Sequence, residues 1–162
     1  MLLALFKIMS IIYEKIKTDL KEAMKSGNTQ KRDVLRMIDS MIKNVEIEKG
    51  KREVGLSDEE IVEVVMRAVK QRKDSASQYE TGGRPELAQK EQEEIEILSD
   101  YLPTQLTEEE IVKIVKEEMA GLENASGSDM GKIMGSIMGK LKGKADGNIV
   151  RKIVEEEFGK IK

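Results

Sequence analysis

The residues best placed to do chemistry lie between Asp129 and Asn148, in the stretch DMGKIMGSIMGKLKGKADGN. Glycine recurs there at every fourth position, at Gly131, Gly135, Gly139, Gly143 and Gly147, and Met130, Met134 and Met138 keep the same step. Lys132, Lys140, Lys142 and Lys144 are threaded between them, and Arg151 follows. A helix interior loses roughly 1 kcal/mol for each Gly standing in place of Ala, so a repeated glycine asks for a reason. Bare backbone beside lysines is a surface that another backbone, or a phosphate backbone, can approach closely. On a helical wheel Met130, Ile133, Met134, Ile137, Met138 and Leu141 share one arc of about 140°. Gly131, Gly135 and Gly139 flank that arc, and Lys132, Ser136 and Lys140 face away from it. The flanking glycines either admit a neighbouring helix or leave backbone open to a ligand. Gly143-Lys144-Ala145-Asp146-Gly147 reads as a tight loop into a helix N-terminus. Such a loop either holds a phosphate on free N–H groups and a lysine, or is an Asp N-cap on a Gly-rich turn. It is no P-loop, because no Ser or Thr follows Lys140 or Lys144.

Other chemistries find less support. The 162 residues include no Cys and no His, which removes thiolate sites, the commonest general base and the commonest transition-metal ligand. No metal and no cofactor is expected. Glu91, Glu93, Glu94 and Glu96 resemble an acid/base or metal supply, but an acidic run on a helix reads first as a solvent face. Lys70, Arg72, Lys73 and Arg84 form a second basic cluster that reads as a solvated helix face, with Asp74 and Glu80 nearby. Three Tyr, two Phe and no Trp leave little for base stacking. Lysine Schiff-base chemistry has no desolvated lysine to point to.

The formal net charge is -3, yet charge is unevenly placed. From Asp129 to Lys152 the bases Lys132, Lys140, Lys142, Lys144, Arg151 and Lys152 meet only Asp129 and Asp146. From Glu86 to Glu110 acids dominate, with Lys90 the one base. A basic surface beside an acidic one is expected.

Seven helical segments and no strand position these residues. Ser10 to Ser26 carries Ile12, Ile16, Leu20, Ala23 and Met24, with Gly27 as C-cap. Thr29 to Lys49 carries Val34, Leu35, Ile38, Met41, Ile42 and Val45 and stops at Gly50. Ser57 and Glu60 form a capping box for a third segment with Ile61, Val64, Val65, Ala68 and Val69, which turns polar past Lys70 and ends at Gly82 and Gly83. Pro85 suits the first turn of a fourth helix, running to about Ser99 with Leu87, Ile95 and Leu98 inward. Pro103 breaks the chain at Tyr101 to Gln105. Thr107 and Glu110 make a second capping box, ahead of Ile111, Val112, Ile114, Val115 and Met119. Gly121 to Ser128 reads as a loop, and Ser128 or Asp129 caps the sixth helix. Asp146 caps the last, with Ile149, Val150, Ile153, Val154 and Phe158. The expected fold is all-α: an N-terminal four-helix domain with a long hairpin over 9–102, then a small three-helix domain over 103–162. Residues 1–8 read as an upstream extension of a chain starting at Met9. No run reaches the length of a membrane span, and a cytoplasmic protein is expected.

Three stretches together, QRKDSASQYETGGRPELAQKE, EIEILSDYLPTQLTEEE and DMGKIMGSIMGKLKGKADGNIV, resemble the GatB/YqeY family, in order and spacing from about Met9 onward. The resemblance implies a helical hairpin domain followed by a small three-helix domain, the pair that forms the tail of the B subunit of the tRNA-dependent amidotransferase. In that enzyme the tail helps engage tRNA. Gly131-Lys132 and Gly143-Lys144-Ala145-Asp146 match the family pattern, so the tail's role extends to Lys132, Lys144 and their basic neighbours Lys140, Lys142 and Arg151. The catalytic body and the glutaminase are absent, and the chain is expected not to be an amidotransferase or any other enzyme. A non-catalytic tRNA-binding module is the first expectation. A protein-interaction adaptor docking to an aminoacyl-tRNA synthetase or amidotransferase is the second. An enzyme of another kind, using carboxylates and lysines, is the third.

Overall fold

The protein is all-α. The computed structural model describes residues 10–120 and 127–160, so the expected extension at residues 1–8 and most of the Gly121 to Ser128 loop lie outside the described residues. Among the described residues there are seven helices and no strand: α1 (Ile11–Ser26), α2 (Thr29–Glu48), α3 (Asp58–Thr81), α4 (Pro85–Ser99), α5 (Glu108–Met119), α6 (Gly127–Lys140) and α7 (Gly147–Gly159). None of these helices is long and apolar enough to cross a membrane. The chain divides into two compact units, residues 1–102 and 103–162.

Helix ends follow local chemistry. Ser57 Oγ accepts from the N–H of Glu60, whose carboxylate accepts from the N–H of Ser57, and Thr107 with Glu110 repeats this box on α5. Lys49, Lys51 and the Ser57 N–H hold the Glu60 carboxyl down at about 2. Pro85 occupies the first turn of α4. Gly27 ends α1 at φ 73°, a left-handed conformation that a side chain resists. The expected cap of α6 at Ser128 or Asp129 falls inside the helix, which already begins at Gly127, and the side chain of Ser128 lies outside the described residues.

In the first unit α3 and α4 form a long hairpin against which α2 and α1 pack. The core gathers Leu35, Ile38, Ile42, Leu56, Ile61, Val65, Leu98 and Ile16, each 2% exposed or less. Each fully buried Leu or Ile contributes roughly 1.5–3 kcal/mol, so the apolar stripes of α2 and α3 dominate this unit. Two tyrosines fasten its edges. The Tyr13 hydroxyl donates to Asp39 at 2.7 Å and the Tyr101 hydroxyl to Asp19 at 2.5 Å. Burial, then the hydrogen bond to the carboxylate, raises both phenols above their ordinary 10.0. That stabilisation is complete below about pH 10 and is lost as pH climbs through the raised values. Wild type should therefore exceed the Tyr13→Phe, Tyr101→Phe double variant in urea midpoint at pH 8, and the gap should close progressively above pH 10. A gap constant to pH 11.5 would show that the hydroxyls do not hold these bonds.

In the second unit α5, α6 and α7 close around Ile111, Val115, Ile137, Leu141, Val150, Val154 and Phe158. Residues 103–106 are tied to the turn after α6. The Leu106 N–H donates to the Lys144 carbonyl at 2.8 Å, and Gln105 Nε2 donates to the Gly143 carbonyl at 2.9 Å. Gly143 turns the chain there at φ 79°.

Candidate interaction surface

Helix α6 buries Ile137 completely and half-buries Met130, Ile133, Met134 and Met138 against the same core. Gly135 and Gly139 each stand two residues from Ile137, hence roughly 160° around the helix from it. They point outward rather than flanking the apolar arc. Gly131, Gly135 and Gly139 are all exposed, and a Cβ built on any of them meets nothing within 4 Å. Among the described residues no neighbouring helix uses the bare backbone. Gly147, the fifth of the series, behaves otherwise: a Cβ there would lie 3.1 Å from Met138 Cε, so this glycine lets the methionine close the α6–α7 contact.

Two of the five basic residues are already engaged within the chain. Lys140 is bonded to Glu118 of α5, which also accepts from Ser136 Oγ at 3.4 Å. The Lys140 ammonium lowers the Glu118 carboxyl, as expected for a formed ion pair. Lys142 is exposed but engaged. Lys132, Lys144 and Arg151 are exposed and form no ion pair among the described residues. The Gly143 to Gly147 turn offers no open anion cradle, because the Asp146 carboxylate already sits at the N-terminus of α7 and accepts from the Asn148 N–H at 2.8 Å. An acidic side chain there occupies the place a phosphate needs.

The other clusters resolve into structural pairs. Arg72 turns inward: its Nε donates to Glu94 at 2.9 Å, Nη2 approaches Met37 Sδ at 3.1 Å, and the two charged side chains are only 11% and 18% exposed. Arg84 pairs with Glu86, and Glu93 accepts from Gln30, so members of both the basic and the acidic cluster are taken up in pairs. No group of three or more acids is placed to hold a metal among the described residues. A shallow depression of about 210 Å³ between the ends of α5 and α7 is lined by Lys116, Met119, Ala120, Glu157 and Lys160, and its charges are spent on each other: Glu157 accepts from Lys160 and faces Lys116 at 4.0 Å. Sequence reasoning missed Glu118 and the Arg72–Glu94 pair, since each depends on which helices are neighbours; Asp146 stands as the N-cap that the sequence also offered as its reading of this turn.

A family model described as Yqey-like protein matches residues 13–158. Among curated relatives, the chain is 38% identical over 87 residues to "Altered inheritance of mitochondria protein 41, mitochondrial" of Clavispora lusitaniae, covering 54% of this chain and 49% of that protein. It is 34% identical over 104 residues to the protein of the same name in Candida glabrata, covering 62% and 57%. It is 29% identical over 130 residues to that of Pyrenophora tritici-repentis, covering 76% and 70%. Against the first two, the chain spans about half of the relative's length. These names correct two expectations. Relatives named as mitochondrial overturn the cytoplasmic assignment, and none of the names supports a tRNA-binding module. The geometry supplies the physical reason for the second correction: Glu118 takes Lys140, and Asp146 fills the helix N-terminus. The family description and the relatives' names state no catalytic activity.

Proposed function

The chain belongs to the Yqey-like protein family, and on that premise we propose that it is a non-catalytic protein-interaction module that receives an acidic helix of a partner protein along the outward face of α6. The observation that carries this reading is the bare face itself. Gly131, Gly135 and Gly139 are exposed with open space where their side chains would stand, although each costs the helix roughly 1 kcal/mol relative to Ala. Packing among the described residues of the unit does not require them, so the cost is offset by something that approaches from outside. Met134 and Met138 border that face half-buried, and methionine adapts its shape to a partner surface. The occupant is acidic because Lys132, Lys144 and Arg151 carry exposed positive charge without an ion pair among the described residues. A tRNA-charging or tRNA-amidating enzyme is the partner class that the family resemblance brings forward.

The test is crosslinking mass spectrometry on the tagged full chain purified from cells. One partner protein should be joined through an acidic helical segment, and the Lys132→Glu, Lys144→Glu, Arg151→Glu triple variant should lose that crosslink while keeping its helicity. Crosslinks that survive the triple variant, or that join basic or non-helical peptides, would overturn the proposal. The purified chain should also release no ammonia from glutamine above a buffer blank.

A further inference from the structure

Helix α1 enters the apolar core at few points. Ile16 is its one fully buried member of the main cluster, Ala23 is also buried, and Ile12, Tyr13 and Leu20 pack against the cluster only partly buried. By contrast, α2 places Val34, Leu35, Ile38, Ile42 and Val45 there. Ile11 and Met24 of α1 remain 78% and 51% exposed. Beside that packing, α1 is fastened by a set of carboxylates along its edges. Asp58, the first residue of α3, accepts from Ser10 Oγ and from the Ile12 N–H at 3.2 Å. Asp39 of α2 accepts from the Tyr13 hydroxyl at 2.7 Å. In the other direction, Asp19 of α1 accepts from the hydroxyl of Tyr101, just past α4, at 2.5 Å, with Lys31 Nζ 3.7 Å away. Lys15 Nζ of α1 donates to the Asp100 carbonyl at 3.1 Å and stands 5.1 Å from the centre of the Tyr101 ring. Tyr101 is 3% exposed, and its unit ends at Leu102.

We propose that α1 is a releasable strap: it opens as a unit while α2, α3 and α4 stay folded, and its release also unfastens Asp100 to Leu102, the residues that lead into the second unit. Two physical differences separate α1 from the rest. The bonds to carboxylates hold the edges of α1 and are lost together when it lifts, whereas α2 is also held by five buried side chains of the main cluster, each contributing about as much as one such bond. Elements with few buried apolar contacts open below the free energy of global unfolding. The coupling to the exit segment follows from direction. Tyr101 reaches α1 through Asp19 and Lys15, so when α1 leaves, the tyrosine loses its acceptor and its cation together.

Native-state hydrogen exchange of the full chain, read by NMR, tests this. The amides of Lys17 to Ala23 should exchange at least tenfold faster than those of Leu35 to Ile42 and Val64 to Val69. Tyr101→Phe should accelerate α1 and the amides of Tyr101 and Leu102 together by roughly tenfold, the effect of losing one hydrogen bond to a charged group. It should leave α2 and α3 unchanged, and Asp19→Asn should reproduce the pattern. Three results would overturn the proposal: α1 amides as slow as those of α2 and α3, equal acceleration of all four helices, or an effect on residues 101–102 that leaves α1 untouched.

Discussion

Replacing Gly131, Gly135 and Gly139 together by Ala is expected to stabilise the second unit by about 2–3 kcal/mol, at roughly 1 kcal/mol for each exposed helical glycine. The new methyl groups meet nothing within 4 Å, so no clash offsets the gain in helix propensity. In a unit of this size the shift in its thermal transition should be on the order of 10 °C, while the transition of the first unit stays in place. Differential scanning calorimetry of the full chain, with hydrogen exchange to assign each transition, provides the measurement. A destabilised variant would mean that something in the folded chain uses the bare backbone. The variant carries a second consequence. If the glycines are kept for a partner, the stabilised protein binds worse, the usual trade between stability and function at a site. Gly147→Ala gives the internal contrast, since its Cβ would press on Met138 Cε at 3.1 Å and it should gain less than the outward positions.

The second large effect sits in the first unit. Glu94→Ala should cost about 2–4 kcal/mol, because it leaves the Arg72 guanidinium without its counter-charge in a site where the two side chains are 11% and 18% exposed. The remaining contacts of Arg72, to the Ala68 carbonyl at 3.4 Å and to Met37 Sδ, do not neutralise it. Arg72→Met with Glu94→Leu should cost less than Glu94→Ala alone, since removing both charges leaves nothing buried and unpaired. Urea midpoints of wild type and the two variants decide this. A cost below about 0.5 kcal/mol for Glu94→Ala would place the pair among ordinary surface ion pairs.

What the sequence disclosed divides by range. Signals that act within one or two helical turns were legible. Apolar periodicity located the helices, and Ser57 with Glu60, Thr107 with Glu110, Asp146, Pro85 and Gly27 marked their ends, because each acts on backbone groups a few residues away. The Met and Ile arc of α6 was legible for the same reason. Polar partners far apart in the chain were not. Arg72 reads like Lys70 and Lys73 until the α3–α4 hairpin sets Glu94 beside it, and Tyr101 reads as a helix breaker until Asp19, 82 residues earlier, accepts its hydroxyl. The same holds for the candidate surface. Six bases against two acids between Asp129 and Lys152 promised an anion-binding face, yet Glu118 on a different helix takes Lys140. A local charge count cannot register a counter-charge delivered by a neighbouring element, and this is where the tRNA reading lost its footing. Location was misjudged too: the absence of an apolar span says nothing about the organelle named for the relatives.

The most direct measurement of the docking claim places a photo-crosslinking side chain at Lys132, beside the bare face, and another at Lys113 on α5 as a control, in the full chain expressed in cells. Irradiation followed by peptide mapping should yield, from position 132 only, one protein joined through an acidic helical segment. That product should vanish when Gly131, Gly135 and Gly139 are replaced by Ala. Crosslinks to RNA at position 132, equal labelling from Lys113, or a product indifferent to the alanine substitutions would contradict a protein partner on the outward face of α6.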